Sequence, residues 1–306
     1  MLGREVSVAA IASKKRVSTG NARLREALVG YGFVAVPMGV FVLFFIYPLF
    51  YALYISRYDW GVFGKIETLG FENYRTLIHD DLFWKALKNT VLYTVVVVPL
   101  QMALGLSVAV IVNVGIRGRT FFRSAFYFPA LASSAAITAI ALYILSADGL
   151  LNAIIGGQRP WFGDSDTALW AIAGLNAWTT SGTMMLFYLA ALQSIPTDVY
   201  EAAAIDGAGV WRTFWKITFP LLKPAHFFVA VVSIVGAMKM FDQAYIASGG
   251  SGGPNYSTET VVLYLYQTAI KDVNFGYAAA IGTALFVLIF ALTLIQRFLF
   301  GKAETA

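Results

Sequence analysis

An all-α integral membrane protein with six transmembrane helices is what this sequence predicts, and three observations carry that expectation. Six apolar stretches each reach the roughly 20 residues needed to cross a hydrocarbon layer. The segments between them hold nearly all the charge. Charged residues make up only 13% of the 306, against 58% hydrophobic, and mean hydropathy is +0.69, whereas a soluble domain carries about 25% charged residues.

Residues 1–29 are polar and basic, with Arg4, Lys14, Lys15, Arg16, Arg23 and Arg25. They lack the short apolar core and small-residue cleavage site of a removed signal peptide, and so read as a tail. The first span follows over 30–56, Gly30 to Ser56, with Pro37 and Pro48 as expected kink sites. Residues 57–88 form a mixed-charge external loop in which Trp60 and Trp84 are expected at the interface. A core of five helices over 89–299 comes next, with spans expected at Thr90–Val112, Ser124–Ser146, Ala168–Leu192, Ala225–Ile246 and Tyr277–Leu299. Residues 300–306 form a second tail.

Cation placement sets the orientation. With the amino terminus inside, segments 1–29, 113–123, 193–223 and 296–306 carry 14 Lys and Arg, while 57–88, 147–167 and 247–275 carry 7. The twofold excess predicts that both termini are cytoplasmic. The net charge of +5 is scattered over these segments and reads as loop bias, not nucleic-acid affinity. There is no cysteine, which excludes disulfides and thiolate metal sites, and His79 and His226 fall in no ligand-spaced cluster. No metal site and no bound cofactor are expected.

Nothing in the chain is built to hydrolyse a nucleotide. The run Gly249-Gly250-Ser251-Gly252-Gly253-Pro254 lacks the Gly-Lys-Ser/Thr ending of a phosphate cradle and reads as a flexible external loop. No catalytic set can be assembled, so an enzyme ranks far behind a transporter. Polar groups at membrane depth are the candidates for a substrate path. Asn176, Trp178, Thr179, Thr180 and Ser181 form a band in the fourth span. Lys239 and Asp242, three apart in the fifth, are expected on one helical face, with Tyr245 nearby. Aromatic faces mixed with amide and hydroxyl groups suit a sugar; helix–helix hydrogen bonding is the competing reading.

Between the fourth and fifth spans lies an unusually polar stretch. Residues 198–206 read as a short helix capped by Thr197 or Asp198, with Glu201 in its first turn and Ala202, Ala203 and Ala204 in its middle. Gly207 and Gly209 permit a reversal. A second short helix runs from Val210 to about Phe219, and Pro220 and Pro224 mark re-entry into the membrane.

That stretch resembles the EAA loop of permease subunits of binding-protein-dependent ABC importers. Glu201-Ala202-Ala203, Gly207, Ile217 and Pro220 match, with Phe219 where leucine is usual. The carbohydrate branch is similar elsewhere too: Tyr47-Pro48-Leu49, Phe71-Glu72-Asn73-Tyr74, Phe241-Asp242, Gly252-Gly253-Pro254, Thr258-Glu259-Thr260 and Gly276-Tyr277-Ala278 all have counterparts there. Ala247-Ser248 departs from a common Leu-Thr pair. The resemblance implies the type I ABC importer permease fold in a bacterial or archaeal cell membrane. It also implies a cytoplasmic coupling helix between helices 4 and 5, to which Glu201, Ala202, Ala203, Asp206, Gly207, Ile217 and Pro220 belong. The implied partners are a homologous second permease, two ATPase subunits holding ATP and magnesium, an external solute-binding protein and a sugar. A glycerol-phosphate permease and, further off, an ion-coupled secondary transporter stay open; only Asp242 could serve the latter.

Overall fold

A computed structural model describes residues 20–114 and 118–300, in two compact units that divide after Tyr51. From the first unit, α1 (Gly20–Phe41) passes through a π turn (Val42–Ile46) into α2 (Tyr47–Ile55), within which the division falls. The apolar run Leu24–Ile55 is 32 residues long, enough to span with tilt. Proline explains the π turn. Pro48 has no N–H to offer Phe44 O, and the Tyr47 N–H reaches back to Val42 O instead. Pro37 lies within α1 without ending it.

After α2 the second unit forms a hairpin that corrects the all-α expectation. β1 (Tyr58–Gly61) and β2 (Gly64–Thr68) pair antiparallel, Tyr58 opposite Thr68, with a bulge at Asp59/Trp60. Gly64 takes φ +96° at the turn, a conformation glycine adopts without strain. The Asn73 amide of α3 (Glu72–Ile78) donates to Ser56 O at 2.9 Å and Tyr58 O at 3.1 Å, fastening the hairpin to that helix. α4 (Asp81–Asn113) begins well before Thr90, because Asp80 Oδ1 caps it by accepting from Leu82 N (2.9 Å) and Phe83 N (3.2 Å).

The predicted third span, Ser124–Ser146, is not one straight helix. α5 (Arg119–Leu131) and α6 (Ser134–Ile144) meet at 93° across Ala132 and Ser133. Pro129 removes a donor from the last turn of α5, and both linking residues are extended. After α7 (Leu150–Ile155), α8 (Ala168–Gln193) runs through the middle of the bundle. A Cβ at Gly105 would lie 2.6 Å from Met184 Cβ, and one at Gly182 would lie 2.3 Å from Phe126 O. Missing side chains therefore let α8 approach both α4 and α5 at backbone distance.

Beyond α8 come α9 (Thr197–Ile205), α10 (Val210–Thr213), a π turn (Phe214–Thr218), α11 (Phe219–Leu221), α12 (Lys223–Met238), α13 (Asp242–Ala247), α14 (Val261–Tyr266) and α15 (Phe275–Phe300). Among the described residues, four helical runs are long and apolar enough to cross a membrane: Leu24–Ile55, Asp81–Asn113, Lys223–Ala247 and Phe275–Phe298. The bent α5–α6 pair makes a fifth if taken as one span. α8 has the length but not the hydropathy, since its polar band faces neighbouring helices. Tyr93, Val97, Ile172 and Leu263, each fully buried, anchor the cluster that α8 shares with α4 and α14.

The glycine run is packed where slack was expected. Gly249, Gly250, Gly252 and Gly253 all have positive φ. Lys271 Nζ and Gln267 Nε2 both donate to Gly250 O, and a Cβ on Gly252 would sit 1.7 Å from Glu259 Oε2. Asn89 of α4 donates to Tyr256 O and Glu259 O at 2.8 and 3.0 Å.

Candidate functional site

A cavity of about 190 Å³ lies where two helix discontinuities meet, lined by Ser134, Asn176, Gly236, Lys239, Met240, Phe241, Asp242 and Gln243. Ser134 is the first residue of α6, just past the 93° bend. The other discontinuity is Lys239–Phe241, between α12 and α13. There the ladder tightens, with Lys239 N donating to Gly236 O and Met240 N to Ala237 O, both at 3.2 Å. Phe241 then turns out of the helical region at φ −135°, ψ −62°.

This step overturns the expected single helical face for Lys239 and Asp242. The two sit on opposite sides of the break, each exposed, and the salt bridges among the described residues lie elsewhere, at Glu72–Arg75 and Arg159–Asp164. Both nevertheless line the cavity together with Asn176. Trp178, 53% exposed, lies two residues along α8 and thus on its other side. Ser181 is buried and donates to Trp178 O at 2.7 Å. Tyr245 clusters with Phe241 and Tyr266, tilted against the first and edge-on to the second, at 5.4 Å from each ring. None of these three is part of the cavity wall.

The wall is held by a polar ladder that sequence reasoning did not assemble. Asn176 Nδ2 donates to Gln243 Oε1 at 2.9 Å, and Thr180 Oγ1 donates to Gln101 Oε1 at 2.6 Å and to Asn176 O at 2.7 Å. Gln101 and Gln243 are both buried. Two amides inside apolar stretches were the available signal, since such groups need a partner at that depth. Ser134 gave no signal of its own.

The second candidate region is the stretch 197–221. α9 starts after Pro196, and neither Thr197 nor Asp198 caps it with a side-chain bond, which corrects that expectation. Asp198 takes the first turn and Glu201 the next. At the far end Gly207 stands at φ +69° with open space where a Cβ would be. Gly207 N donates to Ala204 O and Ala208 N to Ala203 O, closing the helix with a left-handed residue. Ala203 is buried; Glu201, Ala202, Asp206 and Pro220 are exposed and Ile217 is half-buried. Ile205 (86%), Val210 (90%) and Trp211 (74%) present large apolar groups to the outside. Beneath them a cavity of about 270 Å³ is lined by Val110, Leu192, Tyr200, Ala204 and Phe214, among others.

A family profile described as a binding-protein-dependent transport system inner membrane component matches residues 101–304. The chain belongs to this family. As such an inner membrane component it is a multi-pass transport permease subunit. Similar relatives span nearly the whole chain. The multiple sugar-binding transport system permease protein MsmF of Streptococcus mutans is 34% identical, over 90% of this chain and 96% of its own. The lactose transport system permease protein LacF of Rhizobium radiobacter is 34% identical, over 87% and 92%. Among solved structures, a chain of a bacterial alginate ABC transporter, crystallised with alginate pentasaccharide-bound periplasmic protein, superposes with a TM-score of 0.78 at 19% identity, covering 90% of this chain and 95% of that one. The last likeness establishes the fold alone.

Proposed function

We propose that this chain is the permease subunit of an ATP-driven importer for a saccharide handed over by an external binding protein. On this reading the chain crosses six times, with the α5–α6 pair and α8 each counted as one, and the cation excess of the inner segments assigns both termini and residues 197–221 to the cytoplasm. The observation that carries the reading is the α9–Gly207–α10 segment. It displays Ile205, Val210 and Trp211 beside Glu201 on a chain otherwise made for lipid. Exposed apolar groups ringed by polar ones are the signature of a docking surface. The chain itself offers no nucleotide cradle, and we assign ATP and magnesium to two ATPase subunits, one of them docked there. Glu201, Ala202, Ala203, Asp206, Gly207, Ile217 and Pro220 form or support that surface, with the small alanines admitting close approach.

The cavity at Asn176, Lys239 and Asp242 is the proposed substrate path. It combines amides, a hydroxyl, opposite charges and the Phe241 ring, a mixture that complements a molecule with both hydroxyls and C–H faces. At about 190 Å³ it is smaller than the roughly 300–1,000 Å³ of ordinary ligand clefts. That supports a second, homologous permease supplying the other half. Closure of the ATPases would move the docked helices, and the membrane halves would switch between two packings as rigid bodies. The names of the relatives, which carry multiple sugars and lactose, support a neutral saccharide.

The test is uptake in proteoliposomes holding the whole complex. Gly207→Val places a β-branched residue at positive φ and should abolish stimulation of ATP hydrolysis by loaded binding protein. Asp242→Ala should lower uptake at limiting sugar while ATPase docking persists. Uptake driven by a proton or sodium gradient without ATP would replace this reading with an ion-coupled one.

A further inference from the structure

The segment that carries the proposed docking surface is joined to α8 by a line of rings. Trp211 meets Trp215 at 5.7 Å, Trp215 meets Phe219 at 5.1 Å, Phe219 meets His226 at 4.5 Å and His226 meets Tyr188 at 5.3 Å between ring centroids. Exposure falls along the line, from 74% at Trp211 through 47% at Trp215 and 36% at Phe219 to 1% at Tyr188. The line thus begins at the proposed ATPase surface and ends in the core of the bundle. Tyr188 packs there with Met184, Leu192, Leu222 and Val229.

His226 is the joint in that line, and its chemistry fixes it in one orientation. Nε2 lies 3.2 Å from Phe219 O and Nδ1 lies 3.0 Å from Tyr188 Oη. A carbonyl can only accept, so Nε2 carries the hydrogen, and in the neutral ring Nδ1 then accepts from the tyrosine hydroxyl. Both nitrogens are committed. One holds the backbone at the end of the π turn, where Pro220 supplies no N–H and the helical ladder is already interrupted. The other holds α8. A planar group fixed at two points and flanked by rings leaves little freedom for the turn to slip against α8.

We infer that His226 is a positioning residue for transport: through Tyr188 and Phe219 it makes the 197–221 segment and α8 move together. Tyr188 lies 12 residues below Asn176 on the same helix, about 18 Å at 1.5 Å per residue. A displacement received at Trp211 therefore arrives at the cavity wall through one continuous helix. This inference rests on the proposed docking of an ATPase at residues 197–221.

The experiment measures sugar taken up per ATP hydrolysed by the reconstituted complex. His226→Phe keeps a ring of similar shape and removes both hydrogen bonds. Tyr188→Phe removes one hydroxyl and is the milder variant should the first assemble poorly. His226→Gln restores a donor and an acceptor at comparable reach. The ratio is expected to fall roughly threefold to tenfold in His226→Phe, the factor that one or two lost hydrogen bonds represent. It should fall less in Tyr188→Phe and recover in His226→Gln. The double variant His226→Phe with Tyr188→Phe should be no worse than His226→Phe alone. An unchanged ratio in both single variants, even with less complex recovered, overturns the inference, because a merely structural contact lowers ATPase and uptake equally. Glu201→Arg serves as the separate control. If it leaves ATPase subunits bound and uptake intact, the docking assignment fails and takes this inference with it. If it releases them while the His226 ratio stays normal, only the inference falls.

Discussion

The two segments that flank α12 and α13 are built on opposite plans. Residues 248–274 tie themselves down. Thr258, Glu259 and Thr260 are each at most 1% exposed, Thr260 Oγ1 donates to Met240 O at 2.9 Å, and the amides of Asn89 and Gln267 close over the rest. Residues 197–221 leave their largest apolar side chains outside, and the side-chain bond reaching Thr218 is a long one, 3.3 Å from Tyr200. One segment completes its own packing; the other leaves the surface on which the ATPase is proposed to dock. The difference is what the docking proposal requires: one segment closed on itself, the other left open.

Three experiments test that contrast, and the glycines give the largest effect. Gly252 and Gly207 both have positive φ, +81° and +69°, but only Gly252 is enclosed. Gly252→Ala must displace the buried Glu259 carboxylate as well as strain the backbone, and should lower stability by roughly 2–5 kcal/mol. Gly207→Ala meets nothing and should lose only about 1–2 kcal/mol. Thermal midpoints of the purified complex measure both, and equal losses would erase the contrast.

Next in size is Trp211→Ala. It should weaken co-purification of the ATPase subunits by roughly tenfold or more, as truncating an interface anchor does, with an unchanged thermal midpoint for the isolated chain. A lower midpoint with ATPase still bound would make Trp211 part of the chain's own packing.

The smallest effect is a pH slope. Burial pushes the Glu259 carboxyl from an ordinary 4.5 up to about 7, against the opposing pull of the Gln267 hydrogen bond and the Lys271 charge. The folded state therefore holds the proton longer than the unfolded one. Stability from this group is greatest below pH 4.5, declines as pH rises from 4.5 towards 7, and levels off above. Glu259→Gln should flatten that slope. Asp80 has the opposite sign. Burial raises it, but hydrogen bonds from Tyr264, Tyr277 and two backbone amides win and hold it below its usual 3.8, so its contribution is lost only as pH falls through that acid range.

Much of this was legible in the sequence. Apolar runs located the helices, because a spanning helix must satisfy lipid along its whole length, and Glu201 to Gly209 announced a helix and a reversal through residue types that act locally. The breaks at Ala132–Ser133 and Lys239–Phe241 were not legible, nor was the hairpin at 58–68. Each depends on what packs against it. Pro129 hinted at the first, but proline inside a span is often tolerated, as Pro37 and Pro99 are. The pairing of Asn176 with Gln243 and of Thr180 with Gln101 joins positions 67 and 79 residues apart, and a single sequence contains no term linking them. Lys239 and Asp242 stood out as charges at membrane depth, but the single helical face expected for them assumed a periodicity that the broken helix does not have.

Gly105 and Gly182 have one more consequence. Glycine at these positions brings the backbone of α8 against α4 and α5, so the three mesh as one block that travels as a unit. Motion within the chain would then be concentrated at the non-helical joints beside that block, Ala132–Ser133 before α6 and Lys239–Phe241 before α13. A small molecule wedged into those joints would stall the cycle while leaving both the nucleotide machinery and the cargo untouched.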